Sequence, residues 1–314
     1  MSNLTVIAHR GASGYLPEHT LESAAMAHAM GVDFIEQDVV LTRDRQLIVL
    51  HDLSLEAVTD VHQRYPGRQR EDGRFYAIDF SLEEIRTLRV HERVNPDGSP
   101  AFPGRFPPDS ALFRIPTFSE EAELIQGLNR SSGRNIGLYI EPKAPAWHFE
   151  NGQDIFGQTI RELATHGYQS RSDNACLQSF DMEALKRARL ELETDLKLVQ
   201  LIGENSWKES ATDFDLLRTR EGLREISEFA DGIGPWILHI VDLSMNDLSD
   251  ISDIVPLAHE FGLFVHAYTL RADQIPDEIG GIGKALELLI ANTRLDGLFT
   301  DHPDQVLALL PPRN

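Results

Sequence analysis

The chain has 314 residues, 41% of them hydrophobic, enough for one large α/β domain or two small ones. Its formal net charge of −21 excludes nucleic acid and anionic membrane surfaces as partners, since both are bound through basic patches. The single cysteine, Cys176, rules out an intrachain disulfide and disfavours a cysteine zinc site. No run of 18 or more apolar residues is present, so no membrane insertion is expected. No basic and apolar leader precedes the first strand, which fits a cytoplasmic protein, or a periplasmic one if a signal has been removed.

The first predicted strand, Leu4–Ala8, runs into His9, Arg10 and Gly11 within VIAHRGASGYLPEHT. An imidazole and a guanidinium at a strand end suit proton transfer and a grip on phosphate oxygens. Gly11 and Gly14 permit a tight turn beside a ligand. Glu18 either bonds substrate or orients Arg10, and Thr20 reads as the N-cap of a helix over Thr20–Met30.

The second predicted strand, Asp33–Val40, contains FIEQDV. Residues two apart share a face, so Phe34, Glu36, Asp38 and Val40 point one way and Ile35 and Val39 the other. Two carboxylates on one dry face need a cation between them, and hard oxygen donors suit Ca²⁺ or Mg²⁺. A hairpin at Thr42–Arg45 leads into the strand-like run Gln46–His51, and Asp52 follows its terminal histidine. Residues 53–116 carry many Gly and Pro and no long period, and a structureless loop of that length is improbable. They read as a small capping insertion in a single 1–314 domain.

Six further strands follow, at Asn135–Ile140, Ala175–Ser179, Leu196–Leu201, Gly232–Gly234, Leu263–Ala267 and Gly297–Thr300. Between and after them come helices at Phe118–Asn129, Asp154–His166, Met182–Glu191, Leu223–Ala230, Leu248–Phe261, Lys284–Asn292 and Pro303–Leu309. Eight strand–helix units predict a closed parallel (β/α)8 barrel, with a doubly wound open sheet as the alternative. Glu141-Pro142-Lys143 ends the third barrel strand and offers a third carboxylate with an ammonium beside it. Gln178, Phe180, Trp236, Tyr268 and Asp301 follow strand ends and are placed at the mouth, although Asp301 could instead cap the last helix. Among the other histidines, His266 is the best candidate for a site role.

The ordered motifs HRGASGYLPEHT, EQDV, HD, EPK, LQSF and GLFTDHP resemble the glycerophosphodiester phosphodiesterase family, over nearly the full chain. PEHT, DGRFYAIDF, PGRFP, VQLI and ADGIGP are most similar to its longer, periplasmic-type bacterial members. The resemblance implies a TIM barrel with a small insertion after the second strand. It also implies metal-dependent hydrolysis of glycerophosphodiesters, such as glycerophosphocholine and glycerophosphoethanolamine, to sn-glycerol 3-phosphate and an alcohol. Carried onto this sequence, it makes His9 and His51 the acid/base pair and Arg10 and Lys143 the phosphate-binding residues. Glu36, Asp38 and Glu141 become the ligands of one divalent cation, Ca²⁺ or Mg²⁺. Asp52 completes an HD pair, Pro142 stands where the family usually has Ile, and His19 where many members have Asn. The competing expectation is a phospholipase D-type enzyme of the same fold acting on lysophospholipids.

Overall fold

The computed structural model describes residues 4–110, 112–241 and 252–311. Eight parallel strands close on themselves. They are β1 (Thr5–Ala8), β2 (Phe34–Leu41), β4 (Gly137–Pro142), β5 (Ala175–Ser179), β6 (Lys197–Ile202), β7 (Gly232–Pro235), β8 (Phe264–Leu270) and β9 (Gly297–Thr300). A ninth, β3 (Leu47–Val49), is antiparallel to β2 and lies outside the barrel order. Pairing of β1 with both β2 and β9 makes the closure, which excludes the open sheet.

A helix follows each barrel strand: α1 (Leu21–Met30), α2 (Phe118–Ser132), α3 (Ile155–Thr165) and α4 (Met182–Leu190) in the first half. The second half has α5 (Arg220–Ile226), α6 (Ile254–Glu260), α7 (Ile282–Thr293) and α8 (Pro303–Leu309). Caps set several of their starts. The Thr20 hydroxyl accepts from the Ser23 amide, and Thr117 forms a capping box with Glu120. The predicted helix Leu223–Ala230 begins earlier, at Arg220, because Thr219 caps it by accepting from the Gly222 amide. Of the predicted Leu248–Phe261, residues 248–251 lie outside the described set, and the helix there spans Ile254–Glu260. No helix among the described residues is long and apolar enough to cross a membrane.

Alternation along β2 sorts its side chains. Ile35 and Val39 join the core between strands and helices, while Phe34 packs on the interior layer of Ile7, Tyr139, Cys176, Val199 and Phe299. That layer fills the barrel, so the polar residues further along each strand are held at its C-terminal mouth. Cys176 belongs to this layer, and burial pushes its thiol up to about 12.

Residues 53–116 hold short helices at Val61–Arg64 and Leu82–Ile85. Phe75, Phe80, Ile85, Leu88 and Phe113 form a separate apolar cluster there, together with Val40 and Ile48 of the β2–β3 hairpin. The insertion is therefore seated on the strand pair that carries the Glu36–Asp38 and His51–Asp52 motifs.

Candidate active site

Strand register assembles the site. Ala8 pairs with Thr300, so the next residues on each chain segment, His9 and Asp301, fall side by side. His9 Nδ1 lies 2.7 Å from Asp301 Oδ1. Asp38 and Glu141 are register partners across β2 and β4, which sets two carboxylates on neighbouring strands. Leu50 donates its amide to the Asp38 carbonyl at 2.9 Å, and His51 follows. His51 Nδ1 then lies 2.6 Å from Asp52 Oδ1.

The first loop is held tightly. A Cβ on Gly14 would sit 2.5 Å from the His302 ring, and Gly11 has φ of +80° with Ser23 Oγ 2.5 Å from any added Cβ. Arg10 and His19 take φ of 57° and 60°, left-handed conformations that non-glycine residues adopt at a cost. Both serve the carboxylate pair: the Arg10 amide donates to Glu36 Oε2 at 2.7 Å, and His19 Nε2 lies 2.9 Å from Asp38 Oδ2.

Charges are unevenly matched. Burial, Asp38 and Glu141 push the Glu36 carboxyl well above its usual range, against Arg10. Asp38 stays well below its own: burial opposes this, but Lys143, His51 and His19 outweigh it. Glu141 is pushed up to about 8, by burial foremost, although Lys143 Nζ is 2.7 Å from its Oε1. The same ammonium is 3.9 Å from Asp38 Oδ1, which is buried without a hydrogen-bond partner. Arg10 Nη1 donates to both oxygens of Glu18 at 3.1 Å, and its buried Nε has no hydrogen-bond partner. His9 is lowered to about 4 by burial and Arg10, and His51 to about 3 by burial, Arg10 and Lys143. Asp301 and Asp52 lie well below the usual carboxylate range, held there against burial mainly by His9 and Arg271 and by His51 and Arg93 respectively. Both are therefore acceptors at neutral pH, so each histidine carries its proton on Nδ1 and leaves the Nε2 lone pair free.

These residues surround a cavity of about 280 Å³ at the barrel mouth, lined by His9, Arg10, Glu36, Asp38, His51, Glu141 and Lys143. Aromatic groups from Phe180, Trp207, Trp236 and Tyr268 line it as well. The sequence of residues 9–305 matches the glycerophosphoryl diester phosphodiesterase family. The chain belongs to that family. It shares 40% identity over 96% of its length with a glycerophosphodiester phosphodiesterase of Haemophilus influenzae, covering 88% of that protein. A namesake from Treponema pallidum is 34% identical, over 96% of this chain and 90% of that one. Among solved structures, one from Silicibacter pomeroyi has a TM-score of 0.74 at 24% identity, covering 98% of this chain and 93% of the other. An Oleispira antarctica phosphodiesterase in complex with the product sn-glycerol-3-phosphate has a TM-score of 0.62 at 22% identity, with 97% and 96% coverage. The fold is thus that of the glycerophosphodiester phosphodiesterases, and the enzyme class is phosphoric diester hydrolase.

All seven residues for which the sequence suggests acid/base, phosphate-binding or metal-binding roles line this cavity. Gln178, Phe180, Trp236 and Tyr268 line it too, whereas Glu18 and Asp52 stand behind Arg10 and His51. His266 is inside the barrel, 3.1 Å from the Tyr139 hydroxyl, and does not line the cavity. Asp301 is not the cap of α8, whose N-cap is His302; it sits 2% exposed against His9.

Three further residues have no role assigned by the sequence, although Arg105 lies within the PGRFP motif. Arg93 Nη1 bonds Asp52 Oδ2 at 2.7 Å and its Nη2 bonds Glu18 Oε1 at 2.7 Å. Arg105 Nη2 and Arg271 Nε reach Asp301 Oδ2 at 2.8 and 2.9 Å. Arg93 and Arg105 come from the irregular insertion, where nothing in the sequence pattern ties them to a strand end. The two carboxylates fit a hard divalent cation: ligand atoms of Glu36 and Asp38, together with a ring nitrogen of His19, lie within 4.8 Å of one another, and Asp38 Oδ1 is a buried acceptor without a hydrogen-bond partner. Glu141 falls outside that tight group, with one oxygen engaged by Lys143.

Proposed function

We propose that this chain hydrolyses glycerophosphodiesters to sn-glycerol 3-phosphate and an alcohol, with His9 and His51 as the proton-transfer pair. The carrying observation is that two imidazoles, each fixed through Nδ1 by a carboxylate, line one cavity with Arg10 and Lys143. Glu36, Asp38 and Glu141 would hold one divalent cation, Ca²⁺ or Mg²⁺, with His19 bracing Asp38. Such an ion supplies Lewis-acid stabilisation of charge on the phosphate oxygens.

The residues of the chain do the rest. Arg10 and Lys143 bind the non-bridging oxygens and hold phosphorus in place. One histidine Nε2 takes the proton of the glycerol 2-hydroxyl as its oxygen bonds to phosphorus. The bond from phosphorus to the head-group oxygen breaks, and the other histidine protonates that leaving oxygen. Water then opens the cyclic phosphate with the two roles exchanged. Both imidazoles are neutral in the free site, so the acid form depends on the substrate's own negative charge to draw a proton in.

The test is glycerol 3-phosphate release from glycerophosphocholine with EDTA, then with Ca²⁺ or Mg²⁺ restored, in wild type and His9→Ala. Release that needs the metal and is lost in the variant is expected. No release under any metal from folded protein overturns the reading. Phosphorus NMR should show the cyclic intermediate; full-rate cleavage of an analogue lacking the 2-hydroxyl would remove that step.

A further inference from the structure

The segment between β6 and α5 brings Trp207 and Glu209 to the cavity rim. Its other glutamate, Glu204, is engaged: His239 Nε2 lies 2.6 Å from its Oε1, and Arg218 Nη1 reaches the same oxygen at 3.1 Å. Glu209 is different. It is exposed, lines the cavity, and forms no hydrogen bond or ion pair with a described residue. Its charge acts on Glu141, Lys143 and Tyr268, so it stands within reach of the reaction site.

A free carboxylate at the door of a phosphate site is unfavourable for an anionic diester, more so on a chain of net charge −21. It becomes favourable if the substrate's outer end is positive. The surrounding surface suits such an end. The Trp207 and Trp236 rings meet at 5.1 Å with planes at 67°, and Trp207 is 39% exposed. Phe180 already lies 5.8 Å from one ammonium, that of Lys143. At the inner end, Gln178 is 2% exposed and its Oε1 has no partner, which suits a glycerol hydroxyl.

We infer that Trp207, Trp236 and Glu209 form a head-group subsite for a quaternary or primary ammonium alcohol, making zwitterionic diesters the preferred substrates. The inference rests on the diesterase reading above. Glycerol enters toward Gln178, phosphate lies against Arg10 and Lys143, and the cationic head group rests on the indoles with its charge toward Glu209.

Two measurements test it. The first is the kcat/KM ratio of glycerophosphocholine to glycerophosphoglycerol. Glu209→Gln and Trp207→Ala should each lower this ratio about three- to tenfold, and Trp207→Phe should restore most of it. An unchanged ratio in Glu209→Gln overturns the subsite. The second does not depend on turnover: choline is titrated against its neutral isostere, with carbon in place of nitrogen, by tryptophan fluorescence. Choline should bind more tightly to wild type, and Glu209→Gln should narrow the gap. Equal binding of the two by wild type overturns the proposal. If no diester is cleaved, the diesterase reading fails and this second measurement alone decides the subsite.

Discussion

The two histidine–carboxylate pairs look alike in distance but differ in what holds them. The His9 pair joins the ends of β1 and β9, and its carboxylate is 2% exposed, with Arg105 and Arg271 on the far oxygen. The His51 pair joins neighbours in sequence, its carboxylate is 21% exposed, and among the described residues Arg93 alone holds the far oxygen. Closure of the barrel makes the first pair. Seating of the insertion steadies the second. One site therefore draws its two proton carriers from two levels of structure.

The largest test of this comparison removes each ring. His9→Ala and His51→Ala should each lower kcat about 10²- to 10⁴-fold, the usual range for a general acid or base. If the rings act in one displacement, the double variant should lose little more than either single one. Independent, multiplying losses in steady-state kinetics would show that the pairs do not share a step.

Carboxamide substitution should separate the pairs by stability. Asp301→Asn leaves Arg271 facing a neutral group and takes one of two carboxylates from Arg105, which keeps Asp273; breaking such a pair in a buried setting costs about 3–5 kcal/mol. Asp52→Asn strips one partly exposed partner from Arg93, which keeps Glu18, and should cost about 1 kcal/mol. Urea unfolding of both variants checks the order; equal losses would remove the distinction drawn here.

Arg93→Ala should act on the His51 side. It loosens Asp52 and also Glu18, and through Glu18 the Arg10 guanidinium. A roughly tenfold loss of kcat/KM is expected, typical of a residue that orients a working one. Arg105→Ala should instead act through Asp301 and His9. Steady-state rates of Arg93→Ala in a His51→Ala background sharpen the point: little further loss means Arg93 works through His51.

What could be read in advance follows the same division. Strand alternation placed Glu36 and Asp38 on one face, and adjacency joined His51 to Asp52. The eight strands were legible because each is a short apolar run between turns. Asp301 was legible only as a mouth residue or a helix cap. Its pairing with His9 spans 292 positions and exists only once β1 and β9 are in register. Arg93 and Arg105 sit in a segment without periodicity, so no face or strand end could be assigned to them. His19 shows in the sequence only as a variant position in PEHT, yet its left-handed backbone turns it onto Asp38.

The smallest effect compares the pairs by pH. An imidazole lowered in the folded state resists protonation there but not when unfolded, so the unfolded chain binds more protons between the two values. Stability from that group is complete above about 6.5 and is lost as pH falls toward the folded value, about 4 for His9. Buried Glu36, Glu121 and Glu141 are raised and carry the opposite sign, so the whole protein's curve cannot isolate a histidine. The difference between wild type and His9→Gln can. Wild type should lose roughly 2 kcal/mol relative to the variant between pH 7.5 and pH 5, in paired urea titrations. The His51→Gln difference should have the same sign and be at least as large, since that imidazole is lowered further, to about 3. Parallel curves for His9→Gln would mean that Asp301 offsets the cost of burial in full. The His9 pair would then be an ordinary ion pair at a strand end, and the case for a neutral, poised base at β1 would fall with it.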